Sequence, residues 1–366
     1  MNGAARVALA AALAAGLGAA TAVPAGAQTR LYVANQDDAT VSVIDAGTRH
    51  LLQTVDLRAY GFGDNARPHH VQVEPDGKFW YVTLIGAGKV LKLDRANKLV
   101  GSVDMEVPGL IALDPRNGMM YVGRSMSAVN PPPRIAIIRR SDMKLLDEVD
   151  LLFPRPHGII APPGGGRVYV ASLGTNQLAS VGAADEEVTL TDVPGSAAGF
   201  VQAALSPDGR WLAVTAELTD SLLIFDLADP AKPVLAHGIL MPDGPFEPAF
   251  TLDGSAIYVT SLLANRVAVV DTRTWTVADT LTSDGFSQPH GLAVSPDGRW
   301  VFVSNRHQSG GVHQHEGGQP TGEGTVVAIC TATRTVDTVL TVGRYAAGMG
   351  IAAPRKRPGH LPAKCR

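Results

Sequence analysis

The stretch Gln288–Asn305, QPHGLAVSPDGRWVFVSN, constrains this chain more than any other because it recurs. It reads as an apolar strand over 291–295, a tight turn at Pro296-Asp297-Gly298, and a second strand over 300–304. Proline presets φ for the turn, glycine takes the positive φ, and β-forming residues flank both. HHVQVEPDGKFWYVTL at His69, VQAALSPDGRWLAVTA at Val201 and FTLDGSAIYVTSLLAN at Phe250 repeat the unit. LIALDPRNGMMYVGRS at Leu110 and GIIAPPGGGRVYVASL at Gly158 are weaker copies, the latter with Gly164-Gly165-Gly166 as its turn.

Alternating segments fill the intervals: VSVID from Val41, KVLKLD from Lys89, RIAIIR from Arg134, SLLIFD from Ser221 and RVAVVD from Arg266. Their period of two marks strands with one face packed on a neighbour. Asp208 and Asp253 are 45 residues apart, and Asp253 and Asp297 are 44 apart. That period holds four short strands per unit, the spacing of a β-propeller blade. Innermost strands are expected from His69, Gly109, His157, Val201, Phe246 and His290, with a seventh in Gly348–Pro354 that has no outer strands after it. The missing outer strands stand at the other terminus, in Leu31–Val55. The expectation is an all-β, seven-bladed β-propeller over 28–354, closed by pairing the C-terminal inner strand with the N-terminal blade.

Tyr81-Val82-Thr83, Tyr258-Val259-Thr260 and the segment LYVAN at Leu31, with the PDG turns, resemble the YVTN family of β-propellers. The resemblance spans Leu31–Pro354 and implies the fold; such propellers serve unrelated tasks, so it implies no one activity.

Residues 1–27 are of another kind. Arg6, the Ala/Leu-rich run Val7–Thr21 and the small-x-small pattern Ala25-Gly26-Ala27 read as a Sec-type signal peptide. The mature protein is therefore expected in the periplasm or secreted, as a monomer, with a basic, Pro-rich tail over 355–366. Two cysteines, Cys330 and Cys365, permit one disulfide between last blade and tail in an oxidising compartment. A net charge of −3 offers no global basic field and argues against nucleic acid as a partner.

Three inner-strand starts carry histidine at one equivalent position: Arg67-Pro68-His69-His70, Arg155-Pro156-His157-Gly158 and Gln288-Pro289-His290-Gly291. Equivalent residues of several blades converge on a propeller's axis, so His69, His157 and His290, with His70 as a fourth, are candidate ligands for Cu or Zn. Each histidine equally suits a turn, bonded to backbone. His307, His313, His315 and Glu316 lie in a Gly-rich insertion over 307–324 and form a second His-rich tract for a metal. Short Pro-His-Gly and His-His motifs resemble the copper-bearing propeller of nitrous oxide reductase and, more loosely, haem d1 propellers. That likeness implies metal-facing roles for His69, His70, His157 and His290. The chain lacks that enzyme's remaining copper ligands and any CxxCH haem attachment.

Glu247 stands beside an inner-strand start and is, with Glu316, a candidate carboxylate base. Asp94, Asp226 and Asp271 suit turn capping, and Arg67, Arg155 and Arg344 suit ion pairs around the rim. No GxSxG elbow, P-loop or dinucleotide fingerprint is present. The sequence therefore points to a binding or scaffold module with a His-lined site at the channel mouth, for a protein or small-molecule partner. A metal-assisted hydrolase, lactonase or redox enzyme on the same site, and a metal-free interaction platform, are the alternatives.

Overall fold

The structure is a computed structural model and describes residues 28–308, 322–352 and Cys365. These form seven four-stranded antiparallel sheets, each one blade. The inner strands are Pro68–Val73, Pro108–Leu113, Pro156–Ile160, Phe200–Leu205, Pro245–Phe250, Pro289–Val294 and Ala346–Ile351, opening blades one to seven. They begin one or two residues before the expected starts. The seventh blade takes its inner strand from the C-terminal side and its other three, Arg30–Asn35, Thr40–Asp45 and His50–Asp56, from the N-terminal side. Leu31 pairs with Ile351 and Tyr32 with Gly350, closing the ring. The seven-bladed architecture and its closure are thus as the sequence reads.

The repeated tyrosine of the second strand has a packing reason. Tyr32, Tyr81, Tyr121, Tyr169 and Tyr258 occupy one register position and are 0–1 % exposed. Each ring fills the wedge between blades, and the hydroxyls of Tyr32, Tyr81, Tyr121 and Tyr169 reach polar partners. Tyr81 donates to Glu74 Oε1 at 2.7 Å, and Tyr169 donates to the Pro230 carbonyl at 3.0 Å. At the closing seam Tyr32 stacks on Trp80 with ring centroids 4.8 Å apart.

The turns behave as their side chains dictate. Asp94, Asp226 and Asp271 accept amide hydrogens from Lys98, Ala228 and Arg273. Gly165 and Gly166 take φ of 64° and 86°, so the triple glycine is a turn. Arg344 pairs with Asp38 at 2.6 Å, while Arg155 donates to the Met126 carbonyl. Cys330 and Cys365 form a disulfide with Cα atoms 5.7 Å apart. Residues 1–27, His313, His315, Glu316 and the rest of the tail lie outside the described residues.

Candidate functional site

The site is built on a bulge that every blade repeats. In each inner strand the register with the second strand slips after the first residue, between Pro68 and Val71 in blade one and between Pro289 and Leu292 in blade six. Two successive residues are thereby released from the ladder. The first of each pair is His69, Gly109, His157, Val201, Phe246, His290 or Ala347. The second is His70, Leu110, Gly158, Gln202, Glu247, Gly291 or Gly348.

A hydroxyl on the second strand holds the bulge in four blades. Thr260 Oγ1 accepts from the Glu247 amide at 2.9 Å and donates to the His290 carbonyl of the next blade at 3.1 Å. Thr215 does the same with Gln202 and Phe246, and Ser304 with Gly291 and Ala347. Thr83 accepts from the His70 amide. Thr260, Thr215 and Ser304 therefore tie one blade to the next, while Thr83 bonds within its own blade. Close approach explains the Pro-His-Gly settings: a Cβ on Gly158 would lie 2.7 Å from the Val201 carbonyl, and one on Gly291 2.7 Å from that of Ala347.

The first residues of the bulges fill the end of the channel where the chain enters the inner strands. His69, His157, Val201, Phe246 and His290 are all at most 2 % exposed. His290 packs on Phe246 at 4.4 Å between ring centroids and meets His69 edge-on at 6.2 Å. His157 Nδ1 lies 2.7 Å from the Val201 carbonyl, so it carries the hydrogen and donates; Nε2 is a bare lone pair with no partner among the described residues. Among the described residues no three His, Cys, Asp or Glu side chains are grouped so as to hold a metal ion. His307 lies apart from this layer, half-buried, with Nε2 at 3.1 Å from Thr325 Oγ1. The donor set present does not fit the expected three-imidazole metal centre.

Four of the second residues, His70, Leu110, Gln202 and Glu247, line a cavity of about 540 Å³. It lies among the inner strands of blades one to five and reaches the opposite face, where Pro75, Pro115 and Pro162 stand in the turns. The open space is thus beyond the histidine layer, toward the turns after the inner strands. Its walls are largely aliphatic, including Leu110, Ile159, Leu205 and Phe250, with five polar side chains: Gln72, Arg140 and the three that the bulges supply, His70, Gln202 and Glu247.

Two of these three make the same bond. His70 Nδ1 accepts from the Ile111 amide of the next blade at 3.2 Å, and the Glu247 carboxyl accepts from the Leu292 amide of its next blade. The donors hold equivalent positions in their strands. Gln202 faces Pro248 at that position, which has no amide hydrogen to offer. Because Nδ1 of His70 accepts, its hydrogen sits on Nε2, making the ring a donor. Burial, with His157 nearby, drives His70 down to about 4, and burial likewise drives His157 to about 4. Desolvation pushes Glu247 up to about 8, against the Leu292 amide bond, and its buried Oε2 has no partner among the described residues. At neutral pH His70, Gln202 and Glu247 are therefore uncharged and rich in donors.

Of the expected site residues, the structure brings His70 and Glu247 to one cavity and places His69, His157 and His290 in the layer that seals it. Gln202 escaped notice, although the alignment of VQAAL with HHVQV puts it in register with His70.

A family model described as Lactonase, 7-bladed beta-propeller matches residues 196–318, a span that includes Gln202, Glu247 and His290. The match covers less than half of the chain. Comparison with the curated proteins finds no match. Among solved structures the chain is similar to Kuenenia stuttgartiensis hydrazine synthase, with 20% identity, a TM-score of 0.61, and coverage of 76% of this chain and 87% of that one. A protein of unknown function from Desulfotomaculum acetoxidans gives 15% identity and a TM-score of 0.70 over 89% and 99%. Dihydro-heme d1 dehydrogenase NirN in complex with DHE gives 15% and 0.59 over 87% and 74%. At these identities the likeness is one of fold.

Proposed function

We propose that the protein is an exported binding propeller that holds a small organic molecule in the cavity of blades one to five. The observation that carries this reading is Glu247 Oε2, a buried carboxyl oxygen without a partner in the wall of that cavity. An unsatisfied buried polar atom costs about 1–3 kcal/mol, which a hydrogen-bonding ligand recovers. A volume of about 540 Å³ suits a metabolite-sized molecule. Its polar group meets Glu247, Gln202 and His70 Nε2–H, and its apolar body meets the aliphatic wall. The disulfide supports an oxidising compartment, in keeping with the signal peptide expected over 1–27.

The lactonase match favours a second reading on the same cavity, hydrolysis of a lactone. There water attacks the carbonyl carbon while His70 Nε2–H donates to the carbonyl oxygen; as the ring C–O bond breaks, Glu247, protonated up to about pH 8, gives its proton to the leaving oxygen and recovers one from the added water. A melting-temperature screen of lactones and their hydroxy acids separates the readings. Binding with turnover supports the enzyme, and binding without turnover supports the carrier. No ligand raising the melting temperature of the wild type above that of Ala249→Trp, which fills the cavity, overturns both. Elemental analysis of the same preparations tests for a metal held elsewhere, including by the tract of His307, His313 and His315.

A further inference from the structure

The other end of the channel holds a different chemistry. Arg306 follows the second strand of blade six, on the entry side of the histidine layer, and is 1 % exposed. Its guanidinium lies 4.4 Å from the centroid of the Tyr345 ring, which favours the cation without accepting its in-plane hydrogens. Neither Nε nor Nη1 meets an acceptor among the described residues. A guanidinium does not shed its proton to escape burial, so the missing acceptors are a standing cost. Asp37 and Glu217 are within electrostatic reach, yet neither accepts from Nε or Nη1. Asp37 Oδ2 is taken by Gln308 Nε2 at 2.8 Å. Gln36 is the second donor: it is fully buried, its backbone N–H donates to the Tyr345 carbonyl at 2.9 Å, and its side-chain Nε2 has no acceptor among the described residues. Three donor nitrogens on two side chains, both set against Tyr345, thus lie buried without acceptors.

We propose that this entry-end cluster is a binding site for a small oxyanion, a carboxylate or a phosphate, held by Arg306 with Gln36 beside it. The oxyanion supplies the acceptors that the fold withholds, and Tyr345 keeps the guanidinium in place. The site is separate from the cavity of Glu247 and does not depend on what that cavity holds.

The test uses the full chain in chloride buffer, with acetate, succinate and inorganic phosphate added separately at matched ionic strength. The melting temperature is expected to climb saturably with one class of oxyanion, and the class that acts tells carboxylate from phosphate. Arg306→Met replaces an unsatisfied cation with an apolar chain of similar reach, so it is expected to fold and to weaken the oxyanion at least tenfold. Should that variant fail to fold, Arg306→Lys is expected to weaken it at least threefold. Melting that responds no more to oxyanions than to chloride, or an oxyanion response unchanged in the Arg306 variant that folds, overturns the proposal.

Discussion

At the scale of single residues, the neutral side chains of the channel make stability depend on pH in two windows. Between pH 6.5 and about 4 the unfolded chain binds a proton at His70 and at His157, and the folded chain does not. Stability is therefore lost as pH falls through that window, by up to about 3 kcal/mol for each histidine. Asparagine at either site keeps the near-backbone bond: an acceptor for the Ile111 amide and a donor for the Val201 carbonyl. The double variant His70→Asn, His157→Asn is expected to lose less of its urea midpoint between pH 7 and pH 4.5 than the wild type; parallel decline of the two would contradict the buried-neutral assignment. Glu247 acts in the opposite direction. From about 4.5 to about 8 the folded chain holds a proton that the unfolded chain has released, so this group's contribution falls as pH rises. In Glu247→Gln that loss is expected to vanish from the pH dependence of chemical denaturation.

The same scale shows what sequence could not reveal. The histidines were visible as register-equivalent copies, but the bulge was not, and it decides which residue of each pair seals the channel and which lines it. Equivalence between blades put His69, His157 and His290, with His70, on a metal. The bulge instead turns His70, Gln202 and Glu247 to the cavity and leaves the other three histidines outside its lining. Arg306 was indistinguishable from an ordinary turn arginine, since its lack of acceptors is a property of tertiary packing alone.

At the scale of the strand, the hydroxyl of the second strand is the tie between bulge and next blade. Thr260→Val keeps shape and strand propensity while stripping the Glu247 amide and the His290 carbonyl of their partner. It is expected to cost about 2 kcal/mol, read as a fall in denaturation midpoint. A neutral effect would mean that the bulge is held by packing alone. Gly123, Ala171 and Ala34 stand where the other three blades lack a hydroxyl, so the device is not needed in all seven. The turn chemistry and the tyrosine wedge were legible because they are local, repeated, and written in proline, glycine, aspartate and aromatic residues at fixed offsets.

At the scale of the molecule, the period of 44 to 45 residues and the stray outer strands at the N-terminus were enough to read a closed seven-bladed ring. Strand 30–35 pairing with 346–351 closes it, and the disulfide anchors Cys365 to the sixth blade nearby. The bond spans a sequence separation of 35, and a loop of that size is worth about 3–4 kcal/mol. Cys365→Ser, or reduction of the wild type, is expected to lower the melting temperature by several degrees. An unchanged melting temperature on reduction would show that the ring's closing seam carries the stability without it.

The measurement that bears most directly on the ligand cavity is mass spectrometry of small molecules released on denaturation. It would be run on wild-type protein purified without an affinity tag, beside Glu247→Gln and Ala249→Trp. The account predicts one organic species in near-stoichiometric amount from the wild type, reduced in Glu247→Gln and absent from Ala249→Trp. Release of the same species in the same amount from Ala249→Trp, or of none from the wild type, would contradict it.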